Sequence, residues 1–178
     1  EIDRVTAFFA PPAYAADADA DWAAQTQSDV AFSRWLRHNT VAHKVTGYRG
    51  VFVCLKTPDV PPGDITDRQL DAVAALADRY SFGQVRSTHT QNLLLADVKE
   101  SALYELWQQL AALKLAFPNV GMATDMICCP GLDFCSLANA TSLSVAKDIH
   151  ERLDNLDYLY DIGELRINIS GCVNGCAH

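Results

Sequence analysis

The chain has 178 residues, 49% of them hydrophobic, and a formal net charge of −8. A chain-wide basic field, the usual footprint of nucleic-acid binding, is absent, and so is an apolar run of the roughly 20 residues that span a membrane. With no visible signal pattern, the composition predicts a cytoplasmic protein that binds neither nucleic acid nor membrane.

Residues 1–42 are rich in Ala and Asp and predict a linker or wrapping segment. Near its end, Phe32, Trp35 and Leu36 fall at helical spacing. This pattern predicts a brief amphipathic helix that stops close to Asn39.

Residues 43–117 predict a ferredoxin-like half-domain. The elements in chain order are a strand from Tyr48 to Leu55, a helix from a Thr66–Gln69 capping box to a stop at Gly83, strands over 84–88 and 92–96, and a helix over 103–113. The order β-α-β-β-α is most of a split βαβ unit. The predicted fold class is therefore α+β.

Residues 118–178 predict a second, α/β lobe. Its expected elements are a strand within 122–128, a helix from Leu137 to Leu153 and a strand from Leu165 to Ser170. His150 on this helix, like His38 on the earlier one, is expected to face solvent.

This lobe contains five of the six cysteines. They are arranged as Cys129-x5-Cys135 and Cys172-x3-Cys176, with Cys128 beside the first pair. Paired cysteines on two tight loops are typical of a four-thiolate metal site. A zinc ribbon needs two C-x2-C knuckles, which neither pair provides, so the spacing favours an iron–sulfur cluster. It leaves open whether Cys128 or Cys129 is the first ligand.

Buried structural thiols are the alternative interpretation, because free cysteine is among the most buried residue types. For Cys54, which falls on the core-facing side of its strand, a packed thiol is the preferred prediction.

The cysteine pattern C-x5-C…G-C-x-N-x-C is similar to that of the sulfite and nitrite reductases. Motifs elsewhere share the resemblance, which covers residues 32–178: Phe32-x-x-Trp35-x-x-x-Asn39, His43-Lys44-x-x-Gly47-Tyr48, Gly63-Asp64-Ile65-Thr66-x-x-Gln69-Leu70 and Arg86-x-Thr88-x-x-Gln91-Asn92. Val173 stands where the family commonly has Pro or Met, and Ala177 where it has Gly. Neither departure removes a ligand.

The resemblance implies an oxidoreductase with a [4Fe–4S] cluster coupled to sirohaem. The implied cluster ligands are Cys129, Cys135, Cys172 and Cys176. Cys176 would also be the thiolate shared with the sirohaem iron, and hence the catalytic residue. Further residues implied to lie beside the cofactors are Arg86, Thr88, Gln91, Asn92 and Asn174.

In that family two pseudo-symmetric halves enclose the sirohaem, and this chain resembles the second half. Because Cys176 lies two residues from the end of the sequence, the 118–178 lobe is expected to be truncated. The N-terminal half of the same polypeptide would then be its partner. We expect the isolated chain to be inactive and to lack sirohaem.

The implied reaction is the assimilatory six-electron reduction of sulfite to sulfide, with ferredoxin or an NADPH-dependent flavoprotein as donor. Nitrite reduction to ammonia is the alternative at the same cofactor. A cluster-holding electron-transfer module without sirohaem is a second class of function. A zinc-stabilised binding domain is a third.

Overall fold

The computed structural model describes residues 1–7, 9–16 and 22–178. The elements in chain order are α1 (Ile2–Ala7), α2 (Trp22–Ser28), α3 (Val30–Asn39), β1 (Thr40–Ala42), β2 (Tyr48–Val53), α4 (Asp67–Tyr80), β3 (Arg86–Ser87), β4 (Leu93–Lys99), α5 (Leu103–Ala112), β5 (Ile127–Cys128), α6 (Leu143–Arg152), α7 (Leu156–Ile162) and β6 (Asn168–Ile169). None of the described helices is long and apolar enough to span a bilayer. Parts of the predicted linker, at 8 and 17–21, lie outside the described residues.

An antiparallel sheet in the order β1-β2-β4-β3 forms the first part of the molecule. Its inner side chains, among them Val51 and Leu95, share one core with side chains of α3, α4 and α5. The predicted strands and helices of the half-domain are present, and its α+β class is confirmed. Strand β1, which the sequence analysis did not predict, pairs with β2 at the edge of the sheet.

Helix α3 confirms the predicted amphipathic helix. Asp29 caps it by accepting a hydrogen bond from Phe32 N, and Phe32 and Trp35 are fully buried. The end of the predicted 1–42 linker therefore packs into the core of the first part. The boundaries of the three predicted segments stay a prediction.

Helix α4 begins at the predicted capping box. Thr66 N donates to Gln69 Oε1 at 3.0 Å, and Gln69 N donates to Thr66 Oγ1 at 3.2 Å. Each side chain thus satisfies a backbone donor at the helix start. Val73 and Leu76 are buried in the core, whereas Leu70 in the first turn is exposed.

The second part contains a short parallel pair, β5 with β6. The strands predicted within 122–128 and over 165–170 are shorter in the structure. Only Ile127–Cys128 and Asn168–Ile169 pair as strands there. The predicted helix over 137–153 was also too long, since α6 begins at Leu143. The first residues of the predicted helix form a loop instead. Asn139 N and Ala140 N donate to Gly171 O, and not to helix carbonyls.

A buried polar network joins the two parts. Lys56 Nζ, with no exposed surface, lies 3.3 Å from Asp125 Oδ1. Asn92 Nδ2 donates to the same oxygen at 2.8 Å, and Asn119 Nδ2 donates to Lys56 O at 3.1 Å. Cys54 is fully buried here, as predicted, and burial raises the pKa of its thiol to about 12.

Candidate cofactor site

The two cysteine loops, 129–142 and 171–177, meet at Gly171. Gly171 N donates to Cys129 Sγ at 3.0 Å, and Gly171 O accepts from Asn139 N at 2.8 Å. A Cβ at Gly171 would lie 3.0 Å from Gly131 Cα and 2.8 Å from Ala140 O. Only glycine permits so close an approach, so the backbone itself brings the two cysteine loops together.

Cys128 and Cys129 occupy different environments. Cys128 packs with Met126 and Ala146, and burial raises the pKa of its thiol. Contact with Ser142, followed by the Gly171 amide, lowers the pKa of Cys129. The Ser142 hydroxyl donates to Cys129 O at 2.6 Å, which leaves the Gly171 N–H as the fixed donor to sulfur. A thiolate that accepts N–H bonds is the chemistry of a metal ligand, so the geometry favours Cys129.

The other three predicted ligands are more accessible than Cys129. Cys135 and Cys172 are half-buried and Cys176 is exposed, and all are free thiols. Backbone turns hold them: Cys135 N donates to Gly131 O at 2.9 Å, and Gly175 N donates to Cys172 O at 3.3 Å. Their assignment as ligands stays a prediction.

Within the part of the chain that the structure describes, no three His, Cys, Asp or Glu side chains converge on one point as a single metal ion requires. A zinc site needs four donors around one ion. A [4Fe–4S] cubane instead spreads its four thiolates over four irons. The donors present, four thiols on two abutting loops with an amide directed at one sulfur, suit the cubane better than zinc.

A cleft of about 500 Å³ lies beside the first cysteine pair. Three of the predicted cofactor residues line it, together with Cys128, Pro130 and Phe134: Thr88, Gln91 and Asn92. Arg86 is exposed on β3, 3.9 Å from Asp97 Oδ2, and Asn174 is exposed in the turn between Cys172 and Cys176. The structure therefore brings three of the five predicted residues together with the cysteine loop.

The amides that line this cleft already have partners within the protein. Gln91 bonds the backbone of Cys128, and Asn92, which is buried, bonds Asp125 and Leu55 N. Their assignment as cofactor contacts stays a prediction. Sequence reasoning missed Ser142, because a serine 13 residues from Cys129 matches no ligand spacing.

One family model and several known proteins match parts of this chain. Residues 49–113 match the family described as nitrite/sulfite reductase ferredoxin-like half domain. An assimilatory ferredoxin-dependent nitrite reductase of Haloferax mediterranei is 33% identical over 119 residues, 66% of this chain and 20% of that protein. A sulfite reductase [ferredoxin] of Mycobacterium tuberculosis is 29% identical over 119 residues, 65% of this chain and 21% of that protein.

A third relative is shorter. The assimilatory-type sulfite reductase of Nitratidesulfovibrio vulgaris is 27% identical over 124 residues, 67% of this chain and 53% of that protein. The chain thus spans about a fifth of the first two relatives and about half of the third.

The antiparallel sheet, its packed helices and the family match define a ferredoxin-like half domain of the reductase type. Residues 49–113 belong to the sulfite/nitrite reductase family, and the relatives that match the chain are named as sulfite and nitrite reductases.

Proposed function

We propose that this chain supplies the cluster-binding part of an enzyme that reduces sulfite, with nitrite as the alternative substrate. The contact between Gly171 N and Cys129 Sγ is the observation that carries the proposal, because it joins the two cysteine loops at a sulfur atom. The reductase relatives named above support the same reaction class.

The proposed ligands of a [4Fe–4S] cluster are Cys129, Cys135, Cys172 and Cys176. When bound, the cluster and sirohaem would supply stored electrons and the iron at which the anion is reduced. Cys176, the most exposed of the four, is the one we assign as the thiolate shared with the sirohaem iron. Buried Cys129 would lie on the protein side, where its amide donor favours the charged sulfur.

Apolar side chains around the cysteine loops support a tetrapyrrole neighbour. Four of them are exposed: Leu132 at 52%, Phe134 at 82%, Leu137 at 67% and Val173 at 98%. Exposed apolar side chains on these two loops would pack against the apolar rings of a tetrapyrrole. Phe134 also lines the cleft that contains Thr88 and Gln91, which we propose contribute to sirohaem binding with Arg86, Asn92 and Asn174.

The chain offers few cations for an anionic substrate. It has 14 Lys and Arg against 22 Asp and Glu, and an anion site requires a local excess of positive charge. We therefore propose that the other half of the same polypeptide completes the substrate site. Ferredoxin or an NADPH-dependent flavoprotein would be the electron donor.

The first experiment is the visible spectrum, with iron and acid-labile sulfide assays, of the anaerobically purified natural polypeptide. We expect sirohaem bands and about four irons in addition to the sirohaem iron. Cys129→Ser should lose the cluster, whereas the matched change Cys128→Ser, at a packed thiol, should keep it. Turnover of sulfite and of nitrite by the wild-type protein then identifies the substrate.

Three outcomes would contradict the proposal in different ways. A cluster without sirohaem bands would indicate an electron-transfer module. Stoichiometric zinc without iron would indicate a structural domain. A cluster that survives Cys129→Ser and disappears with Cys128→Ser would reverse the ligand assignment.

A further inference from the structure

Strand β5 has one edge paired with β6 and one edge that faces the first part of the molecule. Ile127 N donates to Ile167 O and Cys129 N donates to Ile169 O, both at 3.0 Å. Because alternate peptide groups of a strand point to opposite edges, the N–H and C=O of Cys128 point away from β6. Buried groups of this kind need partners.

The side chain of Gln91 supplies both partners. Cys128 N donates to Gln91 Oε1 at 2.9 Å, and Gln91 Nε2 donates to Cys128 O at 2.9 Å. One primary amide thus takes the place that a neighbouring strand residue would occupy. The N–H and C=O bonded in this way belong to Cys128, the residue immediately before Cys129.

The backbone of Gln91 is held in an unusual conformation. Its φ of 57° is uncommon for a residue other than glycine, and a Cβ at Gly63 would lie 3.1 Å from Gln91 Cβ. Buried Lys56 Nζ donates to Thr90 O at 2.5 Å, and Asn92 is bonded to Asp125. Both neighbours of Gln91 are therefore fixed by the buried network.

We propose that Gln91 is a positioning residue that sets the place of Cys129 through the backbone of Cys128. This inference rests on the proposed function, because it concerns how a proposed cluster ligand is placed. Gln91 would act on the cluster through the strand and not by direct contact. The ferredoxin-like sheet and the cysteine loop are thereby held in a fixed relation.

The test is the alkylation of each cysteine by iodoacetamide, followed residue by residue by mass spectrometry, in the reduced, metal-free full chain. In Gln91→Glu a carboxylate oxygen faces Cys128 O, so one hydrogen bond is lost and replaced by repulsion. We expect Cys129, which is 9% exposed, to react about tenfold faster. Cys135, whose N–H is bonded to Gly131 O and not to Gln91, should change less than about twofold.

Gln69→Glu is the matched control. Gln69 Oε1 also accepts a backbone N–H, and its Nε2 also donates to a backbone oxygen, that of Leu113 at 2.9 Å. Gln69→Glu should lower the urea midpoint of unfolding about as much as Gln91→Glu does. It should not accelerate the alkylation of Cys129. Gln91→Asn is the second variant: asparagine tolerates positive φ but is too short to reach both groups, so Cys129 should again react faster.

An unchanged rate at Cys129 in both Gln91 variants would overturn the proposal. So would an equal acceleration by Gln69→Glu, because the effect would then follow global stability. Failure of the proposed function would appear elsewhere, as wild-type protein that binds no iron, since the alkylation assay uses no metal.

Discussion

At the scale of single residues, His150 on α6 is a buried titratable group. It was predicted to face solvent from its helix, but it is 6% exposed, and its Nε2 has no hydrogen-bond partner in the described part of the chain. Burial lowers its pKa, and the charge of Asp59 opposes this effect only in part. The prediction failed because periodicity marks the faces of a helix without showing that residues 58–62 lie opposite this one across a shared cleft.

This burial predicts that acid destabilises the protein through His150. The folded pKa lies below the ordinary value of 6.5, so the folded state binds fewer protons than the unfolded state as pH falls through 6.5. Stability should therefore be unaffected above this value and should decrease below it. Urea unfolding at pH 7.5 and 5.5 measures the loss, which should be smaller in His150→Leu than in wild type. Replacement of exposed His89 by Leu is the control, and an equal effect there would refute this account.

At the scale of elements, the first cysteine loop depends on a glycine. Gly131 has φ of 58°, and a Cβ there would lie 2.2 Å from Ser142 Oγ and 2.8 Å from Ser142 N. Gly121 has φ of 82° with no atom within 4 Å. Alanine would be strained at either position, because both have a positive φ. Only at Gly131 would its Cβ also meet other atoms.

We expect Gly131→Ala to reduce the free energy of unfolding by about 3 kcal/mol, from strain plus overpacking. Gly121→Ala should cost about 1 kcal/mol, from strain alone. Urea unfolding measures both, and iron content should fall only in the Gly131 variant. Equal losses of stability would show that the contacts with Ser142 are readily relieved.

The difference between local patterns and contacts distant in sequence explains how much the sequence could predict. The capping box at Thr66 and the buried face of α3 are local patterns, and they were predicted correctly. The start of α6 was placed six residues early because Asn139 and Ala140 bond Gly171, which is distant in sequence. Spacing predicted two pairs of cysteines and left the choice between Cys128 and Cys129 open. The family resemblance implied Cys129, and the contact of its Sγ with Gly171 N favours the same residue, whose role as a ligand stays a prediction.

At the scale of the whole molecule, the two parts are joined by buried charge. Lys56 lies three residues after the end of β2 and Asp125 lies in the segment that leads into β5. Their side chains are 0% and 5% exposed. No local pattern identified them, because their pairing spans 69 residues. Removal of one partner leaves an uncompensated buried charge, which is far more costly than loss of a surface ion pair.

Lys56→Met should therefore reduce the free energy of unfolding by about 3–5 kcal/mol, and adding Asp125→Asn should recover part of this loss. Arg79→Met is the matched control: its ion pair with Glu105 is 59% and 53% exposed and should contribute less than about 1 kcal/mol. Urea unfolding is followed by fluorescence of Trp35 and Trp107 in the first core and by alkylation of Cys129 in the second part. The two midpoints should coincide in wild type, whereas in Lys56→Met the cysteine loop should open at lower urea. Coincident midpoints in Lys56→Met, with a loss no greater than that of Arg79→Met, would show that the ion pair does not couple the two parts.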